Sequence, residues 1–334
     1  MRIRSIGALT AVTVFCALIS AIPIRPSAAR SPIGNPSQDQ GQQPIIRTGV
    51  GLVNVFATVR DSRKAVVANL EQNDFRIYED NVEQKVAFFN RESSLPLTIG
   101  VLMDTSGSET AMIGAIQQAA SQFLGRVMQK NKDEAMVITF DLDVDLLADW
   151  TSDISELNRA IRRAKINTGG ASGMVTPGPF PTSGNKGTNF YDAVYLACHD
   201  KMASEAGRKT LVILTDAEDN GSQKKLSDAI EAAQRADTVV HMLVVYDPAY
   251  GADFGGARKL AEETGGRAID IRTEKELLKA FDEISEELRS EYEIGYYPTN
   301  SKHDGTLRHI KVETTKRDLK VLARKGYYAV QDQN

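Results

Sequence analysis

The hydrophobic pattern changes twice along this chain. In GLVNVFATVRD, apolar and polar positions alternate, with Val53, Val55, Ala57 and Val59 on one face, which predicts a half-buried strand. DFRIYEDNVEQKVAFFN predicts a hairpin: Phe75 and Ile77 enter, Glu79-Asp80-Asn81 turns, and Val86 and Phe88 return. From about Leu95 to Ser290 the rhythm differs. Continuous apolar runs (LTIGVLMD, EAMVITF, TLVILTD, TVVHMLVVYD and RAIDI) alternate with amphipathic stretches of helical period. The last of these, EKELLKAFDEISEELRS, carries Leu277, Phe281, Ile284 and Leu288 at intervals of +4, +3 and +4. Beyond it, EYEIGYYP, LRHIKVETT and LKVLARKGYYAV return to short β runs around turn signals such as His303-Asp304-Gly305.

Apolar strands separated by helices predict an α/β fold with a doubly wound, mostly parallel sheet, because strands covered on both faces are apolar throughout. DLDVDLLADW predicts an antiparallel edge strand after MVITF. Neither terminal region has enough strands for a sheet of its own. The expectation is therefore that residues 49–94 and 291–332 pair into one small β-sandwich flanking residues 95–290.

The first residues have the pattern of an export signal. Arg2 and Arg4 precede an apolar region from about Ile6 to Ile24, and Ser27-Ala28-Ala29 places cleavage after Ala29. An uncleaved membrane anchor is the competing reading, but Pro23, Arg25 and Pro26 interrupt a continuous span. The expectation is an exported protein with no membrane span once residues 1–29 are removed. Residues 30–48, rich in Pro, Gln, Gly and Ser, are expected to be a flexible linker.

Composition narrows the function class. The 334 residues are 42% hydrophobic and 25% charged with a formal net charge of −4, and no basic stripe marks a nucleic-acid surface. Cys16 falls in the signal, so Cys198 has no intramolecular partner after cleavage. Its helical stripe with Val194 and Met202 predicts a buried, inert thiol.

In doubly wound sheets, ligands bind beyond the carboxyl ends of the strands. Asp104 ends LTIGVLMD, Asp216 ends TLVILTD, and Thr188 precedes a helix in NKGTNFYD. An all-oxygen donor set suits a hard divalent cation in octahedral geometry.

DTSGS resembles the D-x-S-x-S motif of the von Willebrand factor A domain, whose metal-ion-dependent adhesion site adds a distant Thr and Asp. The matching positions are Asp104, Ser106, Ser108, Thr188 and Asp216, and the phrases GTNFYDAV and LVILTDAEDN fall in the expected order. The flanks DFRIYEDNVEQKVAFF, EYEIGYYP and ARKGYYA are similar to those of bacterial VWFA-related domain proteins. The resemblance implies that these five residues hold a divalent cation, Mg²⁺ first with Mn²⁺ or Ca²⁺ as alternatives. It further implies a non-enzymatic module that binds a protein partner offering a carboxylate to the metal. The family often has Met at the place of Glu109, so the site here is the more negative.

Other readings compete. Ser106 and Ser108 could cap the helix beginning near Glu109, but capping does not explain Thr188 and Asp216. A nucleophilic serine lacks both G-x-S-x-G and a histidine in these segments. DLDVD would need a glycine at loop position six and a glutamate at position twelve to bind calcium, where Leu146 and Ser152 stand. Glu218 and Asp219 are expected to shape the turn after Asp216, and Glu109 to favour the helix dipole. The Gly/Pro/Ser-rich stretch 167–187 either shapes partner choice through Met174 and Phe180 or is a disordered insertion. Two alternative functions stay open: a structural or assembly protein whose metal ties loops together, and a metal-dependent hydrolase.

Overall fold

The computed structural model describes residues 51–91, 95–167, 187–246 and 252–331. The signal, the linker, and the expectations for Met174 and Phe180 lie outside the described residues.

The chain opens with β1 (Val53–Arg60), β2 (Phe75–Glu79), β3 (Val82–Gln84) and β4 (Val86–Arg91). The alternating segment follows: β5 (Leu97–Asp104), α1 (Ile113–Val127), β6 (Glu134–Phe140), β7 (Val144–Thr151), α2 (Ile154–Ile161) and α3 (Phe190–Leu196). It continues with β8 (Arg208–Thr215), α4 (Leu226–Arg235), β9 (Thr238–Val245), α5 (Phe254–Thr264), β10 (Ala268–Ile271) and α6 (Glu274–Arg289). The last strands are β11 (Tyr292–Tyr296), β12 (Leu307–Thr314), β13 (Lys320–Ala323) and β14 (Gly326–Tyr328).

The central sheet has the order β10-β9-β8-β5-β6-β7 and is parallel except for β7, which pairs antiparallel with β6. Each covered strand serves two cores. From β5, Leu97, Ile99, Val101 and Met103 meet α1, α2 and α6, while Leu102 meets α3, α4 and α5. Every residue of β5 is buried, which is why the run carries no polar alternation. Strand order reverses at β5: the chain leaves it for β6 on one side and returns to β8 on the other. That reversal opens a crevice at the carboxyl ends of β5 and β8.

Two antiparallel sheets mix strands from both ends of the chain, in the orders β13-β1-β11-β4 and β14-β12-β2-β3. They share a core of Val55, Val59, Phe75, Ile77, Tyr292, Ile294, Tyr296 and Ile310. The tyrosines carry their hydroxyls to hydrogen-bond acceptors. Tyr296 and Tyr327 donate to the Glu79 carboxylate at 2.8 and 2.9 Å, and Tyr292 donates to the Val67 carbonyl at 2.7 Å.

Two β runs differ from the sequence expectation. The return strand of the first hairpin divides at Lys85: β3 pairs with β2, whereas β4 crosses to the other sheet and pairs with β11. Phe88 therefore stands 42% exposed on an outer strand instead of returning to the core. LKVLARKGYYAV likewise divides into β13 and β14, in different sheets. In both places adjacent residues serve separate sheets, a choice that alternation alone does not encode. Among the described residues, no helix is long and apolar enough to cross a membrane.

Candidate metal centre

The crevice beyond β5 and β8 holds three buried carboxyl groups. Asp104 ends β5, Asp216 directly follows β8, and Glu109 reaches in from the 3-10 turn Gly107–Ala111 between β5 and α1. One carboxylate oxygen from each lies within 4.8 Å of the other two. Among the described residues, no Lys, Arg or His forms an ion pair with any of them.

Hydroxyls and backbone amides hold the acids in place. Asp104 Oδ1 accepts from the Ser106 amide at 2.8 Å, and Asp104 Oδ2 accepts from Thr215 Oγ1 at 2.6 Å. Ser106 occupies the N-cap position of the turn but makes no side-chain cap bond; its Oγ lies 3.0 Å from Ser108 Oγ. The geometry therefore does not support helix capping as the role of these serines. Asp216 Oδ1 accepts from the Glu218 amide at 3.0 Å, and its carbonyl accepts from the Asp253 amide at the start of α5.

Thr188 is tied to the crevice through its backbone. Its carbonyl accepts from the amides of Asn220 and Gly221, in the loop that follows Asp216. The approach is close because both facing positions are glycine. A Cβ at Gly187, whose φ is +134°, would sit 2.8 Å from the Asn220 backbone, and one at Gly221 would meet the Gly187 carbonyl at 2.7 Å. Among the described residues, no side-chain hydrogen bond joins Thr188 to Asp104 or Asp216. The structure thus gathers Asp104, Ser106, Ser108 and Asp216 directly and brings Thr188 alongside through the main chain.

Electrostatics set the demand for a cation. Burial pushes the Asp104 carboxyl up to about 6, against the hydrogen bonds from Ser106 and Thr215 that lower it. Burial first, and then the neighbouring Asp104 and Asp216 charges, push Glu109 up to about 9. Ionising all three carboxyl groups side by side in this buried crevice is therefore unfavourable unless a countercharge lies between them. A divalent ion would supply a countercharge that no Lys, Arg or His among the described residues provides. The donor chemistry, carboxylates and hydroxyls without His or Cys, fits a hard cation.

Two residues have roles here that the sequence analysis did not assign. Glu109 was expected beside the site as an acidic first-turn residue favouring the helix dipole, yet it is 1% exposed and its carboxylate joins the cluster. Thr215 was hidden within an apolar run, where only its hydroxyl could have signalled a partner for Asp104. The other expectations near the site can be placed. Asp219 Oδ1 accepts from the Tyr191 amide and from Ser222 Oγ, which shapes the loop, and Glu218 is exposed. Asp141 accepts from Thr105 Oγ1 at 2.9 Å, bracing the ends of β5 and β6. Cys198 is fully buried, and burial pushes its thiol up to about 12, as suits an inert side chain.

Residues 99–219 match the family model of the von Willebrand factor type A domain. No curated protein matches the chain. Among solved structures, BatB from Bacteroides thetaiotaomicron is 16% identical, with a TM-score of 0.44 over 58% of this chain and 100% of that one. A von Willebrand factor type A protein from Catenulispora acidiphila is 12% identical, with a TM-score of 0.48 over 80% of this chain and 76% of that one. A matrix protein of the mussel byssus, solved with zinc in its MIDAS motif, is 13% identical, with a TM-score of 0.48. That match covers 63% of this chain and about half of the mussel protein, 49%.

Proposed function

We propose that a chain whose residues 99–219 match the von Willebrand factor type A domain is an exported, non-enzymatic binding module that engages an acidic side chain of a protein partner through a divalent metal. Asp104, Ser106, Ser108, Thr188 and Asp216 would hold the ion, with Mg²⁺ the first candidate. The observation that carries this reading is the buried carboxylate cluster at the strand-order reversal, flanked by paired serine hydroxyls and lacking a basic counterion among the described residues. The bound ion would supply a Lewis-acidic point of attachment for an outside carboxylate. The chain's own residues position that point. Thr215 and the Ser106 amide fix the Asp104 carboxylate, and the Gly187–Gly221 contact sets Thr188 beside the loop after Asp216.

The test is capture of partners from the native envelope fraction with Mg²⁺, with EDTA, and with Asp104→Ala. Capture that needs both the metal and Asp104 is expected; capture indifferent to both overturns the reading. One observation favours the alternative structural role. Glu109 adds a third carboxylate to the cluster, as a site closed by its own chain would require. Thermal stabilisation by Mg²⁺ without metal-dependent capture would select that alternative.

A further inference from the structure

Glu109 has no role in the binding scheme above, yet it is the one buried residue of the turn Gly107–Ala111. An acidic residue placed only to favour the dipole of α1 would point to solvent, where its charge is hydrated at no cost. Here the side chain turns inward, and its Oε1 is buried without a hydrogen-bond partner among the described residues. The main chain holds it there: the Glu109 amide donates to the Ser106 carbonyl at 3.2 Å, and the Glu109 carbonyl accepts from Met112 at 2.9 Å. A buried carboxylate oxygen aimed at two other carboxylates carries a free-energy cost that a cation between them would offset.

The spacing identifies what that is. Oxygen ligands about 2.1–2.4 Å from a shared cation lie at most about 4–5 Å apart. The oxygens of Asp104, Glu109 and Asp216 fall within 4.8 Å of one another. We propose that Glu109 is a built-in carboxylate ligand of the same metal and competes with any outside carboxylate for it. The proposal rests on the metal reading of Asp104, Ser106, Ser108, Thr188 and Asp216.

Two independent counts make Glu109 a competitor. An octahedral ion has six positions, and the five donors named above leave one; a sixth donor from the chain fills it. Asp104 and Asp216 already balance a divalent charge, so a third carboxylate leaves the shell net negative and repels an approaching acid. A partner's carboxylate must then displace Glu109. The bound ion is closed at rest and opens only when the turn before α1 gives way.

The test uses the full chain stripped of metal, with Mn²⁺ as the probe ion and acetate as the probe carboxylate. Mn²⁺ affinity is read by electron paramagnetic resonance, and metal-bound water by proton relaxation. Glu109→Gln is expected to weaken Mn²⁺ binding roughly 10–100-fold. It is also expected to raise the water count on the bound ion, and to let acetate displace that water where it cannot in the wild type. Glu109→Met, which brings no oxygen, should do the same and serves if the Gln variant folds poorly. Wild-type affinity and relaxation in both variants would overturn the proposal, as would equal acetate binding to the wild-type metal. Asp104→Ala separates the two readings. If it abolishes Mn²⁺ binding while the Glu109 variants change nothing, only the competitor role fails. If it leaves Mn²⁺ binding intact, the metal reading fails and the proposal with it.

Discussion

Arg60 and Glu287 form an ion pair inside the protein, the guanidinium 6% exposed on β1 and the carboxylate 1% exposed on α6. Arg267 reaches the same carboxylate oxygen at 2.7 Å, and both arginines also meet Glu283. The pair joins an antiparallel sheet to the last helix of the doubly wound layer. Breaking a buried pair leaves the surviving charge uncompensated, which costs about 3–5 kcal/mol. Glu287→Gln is therefore expected to lower the unfolding free energy from urea titration by that order. A loss below about 1 kcal/mol would show that the remaining polar contacts suffice.

The same cluster predicts an acid limb. Burial, with Arg267 and Arg60 close by, holds His241 down at about 3, and Glu287 Oε2 is 3.9 Å from its Nδ1. A depressed pKa means that, below about 6.5, the unfolded chain takes up a proton that the folded chain refuses. Stability from this group is present above pH 6.5 and is lost as pH falls toward 3, at up to about 1.4 kcal/mol per pH unit. Urea titrations at a series of pH values should show a shallower acid loss for His241→Gln. Identical slopes would remove His241 from the account.

Metal should stabilise the fold measurably. An ion that binds only the native state adds about 2.7 kcal/mol at a hundred times its dissociation constant. Melting temperature is expected to rise with Mg²⁺, to fall back with EDTA, and to ignore both in Asp104→Ala. Mg²⁺-independent melting of the wild type would contradict the site.

Thr215→Val keeps the shape of the side chain but removes the 2.6 Å hydrogen bond to Asp104. Freed from that donor, the carboxylate is less well oriented, and metal affinity should drop roughly 10–100-fold. The folding cost should stay near 1–3 kcal/mol, because the Ala217 amide also loses the hydroxyl it donates to. Unchanged Mn²⁺ affinity would mean that Thr215 serves the loop alone.

Backbone approach sets a fifth contrast. A Cβ at Gly266 would lie 2.0 Å from the Val240 carbonyl oxygen, so Gly266→Ala must shift main chain, at about 1–3 kcal/mol. At Gly125, within α1, a Cβ meets nothing within 4 Å, and Gly125→Ala should stabilise by about 1 kcal/mol through helix propensity. Thermal unfolding of the two variants checks both signs.

The sequence by itself determined what depends on neighbours close in the chain. Continuous apolar runs marked β5, β6, β8 and β9 because strands covered on both faces need no polar positions. The 3.6-residue period marked α6, whose Leu277, Phe281, Ile284 and Leu288 are all buried. The D-x-S-x-S spacing drew attention to Asp104, since a strand end followed by a turn delivers side chains to one point. Tertiary structure alone decided what depends on segments far apart. Nothing local makes Glu109 turn inward rather than face water, and the nearness of its carboxylate to Asp216 exists only because the end of β8 lies beside the turn. Nothing local makes Thr215 differ from the apolar residues of its strand, because its partner sits on the neighbouring strand. The split between β3 and β4, and the union of Arg60 with Glu287, follow from which sheet each strand joins. Periodicity records which residues are buried, while packing across the chain decides what each buried group faces.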